Sequence, residues 1–379
     1  MKRRNFINIF GLSAAGLPIV HWPGRHERED NASANESTNP ENLADIESLS
    51  RKRLSNDAIF YLNSASEGLR TKDANEEAYD KIHLLPRMMV DVRNASTATE
   101  LFGKKIASPV LLSPVGNLGY FKTQGSIHAA RAVKAKNQIM IAATLSNVSI
   151  AEIKDASNAD LWFQLYTTTS REGTLKLIRQ AEAVGSEVLV VTVDSAVLGK
   201  RFGFGALDFT GITYPNLEGI LGKGVGLLDA SLSWDIVPWL RSVTKMKIVL
   251  KGLLTPEDAV LACEHKVDGI IVSNHGGRQL ETNRSTIDCL PAIAQAVDKK
   301  IPILIDGGIR RGTDVFKAIA LGADAVCIGR PYVWGLAYQG QEGVEKVLDI
   351  LNEELLRTMK LSGINTIKEI NRNYVSGVI

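Results

Sequence analysis

The chain is poor in cysteine and has almost no excess of charge of either sign. Its three cysteines, Cys263, Cys289 and Cys327, lie too far apart for a CxxC metal or redox pair. No disulfide framework is implied and no metal site is expected. Cys263 and Cys327 fall inside apolar runs and read as small core residues. A formal net charge of +2 over 379 residues gives no case for nucleic acid or a polybasic membrane surface. A dinucleotide fingerprint is missing too, because the two glycines of GFGALDF, from Gly203, follow no strand. What remains is ordinary for a globular protein, with 45% hydrophobic residues. The length fits one large domain or two medium ones, and single α/β barrels reach this size.

The N-terminus stands apart. MKRRNFINIFGLSAAGLPIV opens with three cations and continues as an apolar run. That run is shorter than the ~20 residues a bilayer-spanning helix needs, so it reads as an export signal. Arg3-Arg4, followed by Asn5, Phe6 and Ile7, resembles a twin-arginine signal, an address for export of folded proteins. Ala32-Ser33-Ala34 offers a small-x-small cleavage site. The alternative is an uncleaved signal that anchors the protein at the membrane. From His26 to Asn42 the chain is polar and low in aromatics, too polar to bury a core. The reading is a signal over 1–34, a linker over 35–42 and a catalytic domain over 43–379, exported to the periplasm.

Beyond residue 105, β-branched runs alternate with stretches of helical spacing. The runs are PVLLSPV (109–115), IMIAATLS (139–146), LWFQLYTT (161–168), VLVVTVD (188–194), KIVLKG (247–252), GIIVSNHG (269–276), IPILIDGG (301–308) and AVCIGRP (325–331). Each is nearly continuous in apolar residues, as in parallel strands covered on both faces. TPEDAVLACEHK starts a helix with Thr255, a proline in the first turn and acids after it. RGTDVFKAIALGAD spaces Val315, Phe316, Ile319 and Ala320 along one face and stops at Gly322. Eight alternations predict an α/β fold, a (β/α)8 TIM barrel with an N-terminal helical segment before it. The interval 195–246 after the fourth strand is much longer than the others, and such a loop is usually functional.

Chemistry in such barrels sits at the C-terminal ends of the strands. Those ends carry Pro114, Val115 and Gly116; Ser146; Gln164 and Tyr166; Thr192 and Asp194; Lys251; Ser273 and His275; Asp306, Gly307 and Gly308; and Gly329 and Arg330. DGGIRRG and IGRP place glycine N–H groups and arginines after strands seven and eight, the usual phosphate site of the fold, although glycines there also serve plain tight turns. Lys251 could offer charge to a cofactor ring or snorkel to the barrel rim. A lone histidine is more often structural than catalytic. Here Asp194 ends its strand at a similar height to His275, where a carboxylate can orient the imidazole. Arg278 follows three residues after His275, placed to grip a carboxylate with two hydrogen bonds. A base and an anion clamp in one loop suit a substrate whose reactive C–H lies beside its carboxylate.

From about Leu43 to the C-terminus, SNHGGRQL, TVDSAVLGKR, FQLY, VLKG, DGGIRRGTDVFKAIALGAD and IGRP resemble, in order, the motifs of the FMN-dependent L-2-hydroxy-acid oxidases and dehydrogenases. The resemblance implies FMN as cofactor and conversion of an (S)-2-hydroxy acid to the 2-oxo acid, with L-lactate expected first and glycolate or a larger acid next. It implies that His275 takes the substrate proton with support from Asp194. Arg278, Arg201 and Tyr61 would bind the carboxylate, and Tyr166 the hydroxyl side. Lys251 would stand by the flavin N1–C2 edge, with Gln164, Thr192, Ser146 and Ser273 on the ring or ribityl chain. Asp306, Gly307, Gly308, Arg310, Gly329 and Arg330 would hold the ribityl and phosphate, with Pro114, Val115 and Gly116 on the cofactor's other side. Electrons would pass to oxygen or to a membrane quinone or cytochrome, and the family's habit is a homo-oligomer, a tetramer. The chain departs from the family at FYLNSASEG near Tyr61, at Phe202, in the Phe- and Gly-rich loop 203–214 and at Gly116, where many oxidases of the family have alanine. The alternatives are an FMN-dependent barrel isomerase, which would not need His275 and Arg278, and a non-catalytic flavin-binding protein.

Overall fold

A computed structural model describes residues 39–222 and 224–377. The expected signal over 1–34 lies outside the described residues, as does the first part of the linker. Three helices come first: α1 (Leu43–Arg51), α2 (Asn56–Asn63) and α3 (Arg70–Asp80). Asn42 caps α1 by accepting from the Ala44 and Asp45 amides, and Asp45 returns the contact to close a capping box. Ser55 caps α2 in the same way through the Ala58 amide.

Eight strands follow, β1 (Val110–Leu112), β2 (Met140–Ala143), β3 (Leu161–Leu165), β4 (Val188–Thr192), β5 (Lys247–Leu253), β6 (Gly269–Val272), β7 (Ile303–Asp306) and β8 (Ala325–Ile328). They pair in parallel and in chain order, and β8 pairs with β1 to close the barrel. Every predicted apolar run became a strand, and a helix follows each strand. All the strands but β5 stop short of the predicted runs, because the backbone turns where the ladder ends. His275 has φ +59°, Gly307 +99° and Gly308 +81°, so these residues form the rim rather than the wall. The long interval after β4 holds two 3-10 turns (Phe204–Ala206 and Pro215–Leu217) and then the helix Ile236–Val243. Thr255 caps the helix Pro256–Glu264 through the Asp258 amide, with proline in the first turn as its sequence indicates.

Alternation along each strand separates two cores. Leu111, Ile141, Trp162, Val190, Val249, Ile271, Leu304 and Cys327 fill the barrel interior. Their neighbours Leu112, Ala142, Phe163, Val191, Leu250 and Ile270 face the helices. An antiparallel hairpin, Thr99–Leu101 with Lys104–Ile106, joins the interior cluster through Leu101 and Ile106. Phe102 at its tip stacks edge-on against Trp162, ring centroids 5.5 Å apart. It approaches so closely that a Cβ on Gly269 would stand 2.9 Å from Phe102 Cζ. The hairpin thus fills the N-terminal end of the barrel and leaves the C-terminal end as the place for a ligand. A second small sheet pairs His83–Leu84 with Val375–Ser376.

Candidate active site

The strand ends and the loops beyond them enclose a cleft with about 1360 Å³ of empty space, counting its open mouth. Its walls include Pro114, Val115 and Gly116 beyond β1, Gln164 and Tyr166 from β3 and its end, Thr192 of β4 and Lys251 of β5. They continue with His275 and Arg278 after β6, Asp306 to Arg310 after β7, and Gly329 and Arg330 after β8. Tyr61 from α2 and Arg201 from the long loop complete them.

His275 and Asp194 form the centre. Nδ1 of the imidazole lies 2.9 Å from Asp194 Oδ1. Burial pushes the Asp194 carboxyl up. His275, through charge and hydrogen bond, together with Lys251 and Ser195, outweighs burial and holds it below the usual carboxylate value. An ionised carboxylate has no proton to give, so the imidazole donates from Nδ1 and turns Nε2 toward the cleft. Nε2 faces the Tyr166 hydroxyl at 3.5 Å. Burial, then the Asp194 charge, pushes the Tyr166 phenol up to about 12, so it stays a neutral donor.

Two guanidiniums line the same side. Arg278 Nη1 donates to the carbonyls of Tyr61 and Ser64 at 3.0 and 2.9 Å, and the guanidinium lies 5.1 Å from the Tyr61 ring centroid. Arg201 stacks 3.5 Å over Phe204, and burial together with Arg278 pulls it down to about 10. Among the described residues neither guanidinium pairs with a carboxylate, which suits a carboxylate-binding wall. Tyr61 is held by the Asn117 side chain, which donates to its hydroxyl at 3.2 Å, and its ring packs with Phe204, Phe209, Tyr120 and Phe121.

Lys251 is buried. Its Nζ donates to Ser273 Oγ at 2.8 Å and pairs with Asp306 Oδ2 at 3.2 Å. Burial would lower its pKa, but Asp306, Asp194 and Tyr166 raise it further than burial lowers it, so the ammonium stays charged. Gln164 Nε2 donates to Thr192 Oγ1 at 3.0 Å beside it. At the far end, Arg330 opens the helix Arg330–Gln339 with Gly329 at its cap. Burial, then Arg278 and Arg310, pulls the Arg330 guanidinium down to about 9. Gly308 sits against the carbonyl of Asn75 in α3, where a Cβ would come within 1.8 Å.

These features fit FMN. Asp306 Oδ1 and Ser113 Oγ are buried without a partner among the described residues, and both residues line the cleft. Ribityl hydroxyls can give them partners. The depressed Arg330, beside Arg310 and a helix N-terminus, calls for an anion of phosphate type. A Cβ on Gly329 would meet only Val115 Cγ2, at 4.0 Å, so the backbone there is open to close approach.

Three expected residues do not line the cleft, and one of them, Asp194, stands behind His275 on its Nδ1 side. Ser146 does not line the cleft, because its hydroxyl turns to Ser126 Oγ at 3.0 Å and accepts from the Val148 amide. The chain leaves β2 at Ala143, and Ala143 and Leu145 form that wall instead. Ser273 lies behind the wall, accepting from Lys251 and from the His275 amide at 3.1 Å. Gln279, Ser195 and Cys327 also reach the cleft and were not singled out from the sequence. Gln279 and Ser195 lay inside the motifs SNHGGRQL and TVDSAVLGKR, and only the spatial meeting of those two loops gives them a part.

Comparison with known proteins bears on this site directly. A family model described as FMN-dependent dehydrogenase matches residues 50–210 and 216–377. A 2-hydroxyacid oxidase of Dictyostelium discoideum is 41% identical over 346 residues, 88% of this chain and 89% of the relative. Spinacia oleracea glycolate oxidase is 36% identical over 351 residues, 88% of this chain and 95% of the relative. Among solved structures, a soluble mutant of the membrane-associated (S)-mandelate dehydrogenase from Pseudomonas putida superposes with a TM-score of 0.85 at 36% identity, covering 89% of this chain and 100% of that one. A mutant flavocytochrome b2 with pyruvate bound superposes with a TM-score of 0.82 at 32% identity, covering 89% and 87%.

Proposed function

The chain belongs to the FMN-dependent dehydrogenase family and oxidises 2-hydroxy acids with FMN as cofactor, and we propose that its substrate is an (S)-2-hydroxy acid, L-lactate first. One observation carries the reading: His275, backed by Asp194, shares a cleft with Arg278, Arg201 and a neutral Tyr166. The guanidiniums grip the carboxylate, and the fork of Arg278 sets its plane. Tyr166 donates to the hydroxyl oxygen. His275 accepts a proton at Nε2, from the α-carbon or from the hydroxyl according to which bond gives up its electron pair. Asp194 then faces an imidazolium and stabilises it. Bound FMN supplies the two-electron sink for this chemistry. Lys251, Gln164 and Thr192 would hold its ring, Asp306 the ribityl chain, and Arg310, Arg330, Gly308 and Gly329 the phosphate.

L-lactate is favoured because pyruvate, the ligand of the flavocytochrome b2 structure, is lactate's oxidation product. Glycolate and larger hydroxy acids come next. The proposed acceptor is a membrane quinone or cytochrome rather than oxygen. Gly116 supports this, since it leaves out a methyl that would stand 3.3 Å from Leu145 and thereby changes the space beside the cofactor. The Arg3-Arg4 pair supports a periplasmic enzyme exported folded, or one anchored by an uncleaved signal, and a homotetramer is the proposed assembly. Anaerobic reduction of the flavin by a panel of hydroxy acids tests the reading, followed by mixing with oxygen or a quinone. Bleaching by L-lactate and rapid reoxidation by quinone are expected. Flavin that stays yellow with every 2-hydroxy acid would refute it.

A further inference from the structure

The segment 194–201 bears Asp194 at one end and Arg201 at the other, yet little apolar burial seats it. Val197 and Leu198 are 69% and 71% exposed. The ties that hold it are polar and converge on Gln279. Its Nε2 faces Asp194 O at 2.8 Å, Ser195 Oγ at 2.9 Å and Val197 O at 3.0 Å, and its Oε1 accepts from the Gly199 amide at 2.9 Å. The strap lies flat on the loop after β6. A Cβ on Gly199 would stand 2.4 Å from Arg278 O and 2.7 Å from Gln279 Cα. Its other ties lie at its two ends: Asp194 to His275 at 2.9 Å, the Glu67 amide to Lys200 O at 2.9 Å, the Phe204 amide to Arg201 O at 3.3 Å, and the Arg201 guanidinium on the Phe204 ring.

A physical load acts on this strap. Arg201 and Arg278 carry like charges on one cavity wall and repel until a carboxylate arrives between them. Arg201 rides on the strap, whereas Arg278 is fixed by carbonyls of α2 and its end. We propose that Gln279 is a positioning residue, a latch that holds the strap 195–201 against this repulsion and so keeps Arg201 opposite Arg278 for the substrate carboxylate. The inference rests on the 2-hydroxy-acid reading above and extends it to a residue outside the reacting set. Asp194 is held independently by His275, so the latch governs capture of the acid more than the proton transfer.

The holoenzyme variants Gln279→Met and Gln279→Glu test it. Methionine keeps the length and loses every hydrogen bond. Glutamate keeps the shape but turns a carboxylate onto three oxygens that now face an amide. Both should retain FMN. Hydrogen exchange of amides 195–203 should quicken at least about tenfold. The Kd for pyruvate, read from the flavin spectrum, and the KM for the hydroxy acid should rise at least about tenfold, with kcat falling far less. Glutamate should be the worse of the two, whereas a steric role predicts it to resemble the parent. Unchanged exchange and pyruvate affinity would overturn the latch. So would loss of FMN in both variants, which would make Gln279 a general scaffold residue. If the parent flavin is not reduced by any 2-hydroxy acid, the functional reading fails, and the exchange measurement still decides whether the latch exists.

Discussion

Removing the Lys251 ammonium tests the buried electrostatics of the site most directly. Lys251 is 3% exposed, and its Nζ has Ser273 Oγ at 2.8 Å and Asp306 Oδ2 at 3.2 Å. Asp306 is buried as well, and its Oδ1 already lacks a partner among the described residues. Lys251→Met would leave that buried carboxylate without its counter-charge. Breaking a buried pair by deleting one partner costs about 3–5 kcal/mol, whereas replacing both partners costs much less. The raised lysine pKa sets the window. Its stabilisation is complete below the ordinary lysine value and fades only as pH rises through the higher folded one, so an assay near neutral pH reads all of it. Urea unfolding of the FMN-free protein, which removes ligand linkage, should show a loss of about 3–5 kcal/mol for Lys251→Met. The double variant with Asp306→Asn should recover most of that loss. A single-variant loss below about 1 kcal/mol, the range of an exposed pair, would refute the buried pair. A double variant no better than the single one would refute the reasoning about the orphaned carboxylate.

His275→Ala should keep FMN and slow anaerobic flavin reduction by roughly 10²–10⁴-fold, the range of a general base, which stopped-flow absorbance reads. Arg278→Lys should raise the KM for the hydroxy acid, because an ammonium cannot reproduce the fork; unchanged KM and turnover would make Arg278 structural. FMN affinity, followed by flavin fluorescence, should be level from neutral pH to about 9 and fall above it. Arg330 loses its proton there in the free protein, so binding a phosphate then requires proton uptake. Affinity that stays flat well above that point would refute the depressed Arg330 guanidinium.

The barrel was legible because its strands are buried on both faces, which writes each one as a solid apolar run. The strand ends were legible for the same reason: a polar residue that interrupts such a run must face the cavity or the rim. That logic found His275, Asp194, Lys251 and Asp306 and fails at Ser146. The run IMIAATLS continues past the end of β2, and nothing in its composition says that the chain has already left the ladder at Ala143. Contacts between distant loops were not legible either. Gln279 meets Ser195 across 84 positions, and Asn75 meets Asn274 across 199, with their amides exchanging hydrogen bonds at 2.9 and 2.8 Å. Such pairs leave no periodic mark, because their register is set by how two loops cross.

The carbonyl of Asn75 against Gly308 ties the phosphate end of the cleft to the order in which the chain is made. The helix bearing Asn75 leaves the ribosome before any strand of the barrel, yet it can dock only when the loop after β7 exists. A helix made before the barrel is therefore among the last pieces to find its place. A chain halted before β8 would lack the strand that closes the barrel and Arg330, one of the two arginines assigned to the phosphate, so its hold on the flavin should be weak. Cofactor uptake would then report that synthesis is complete.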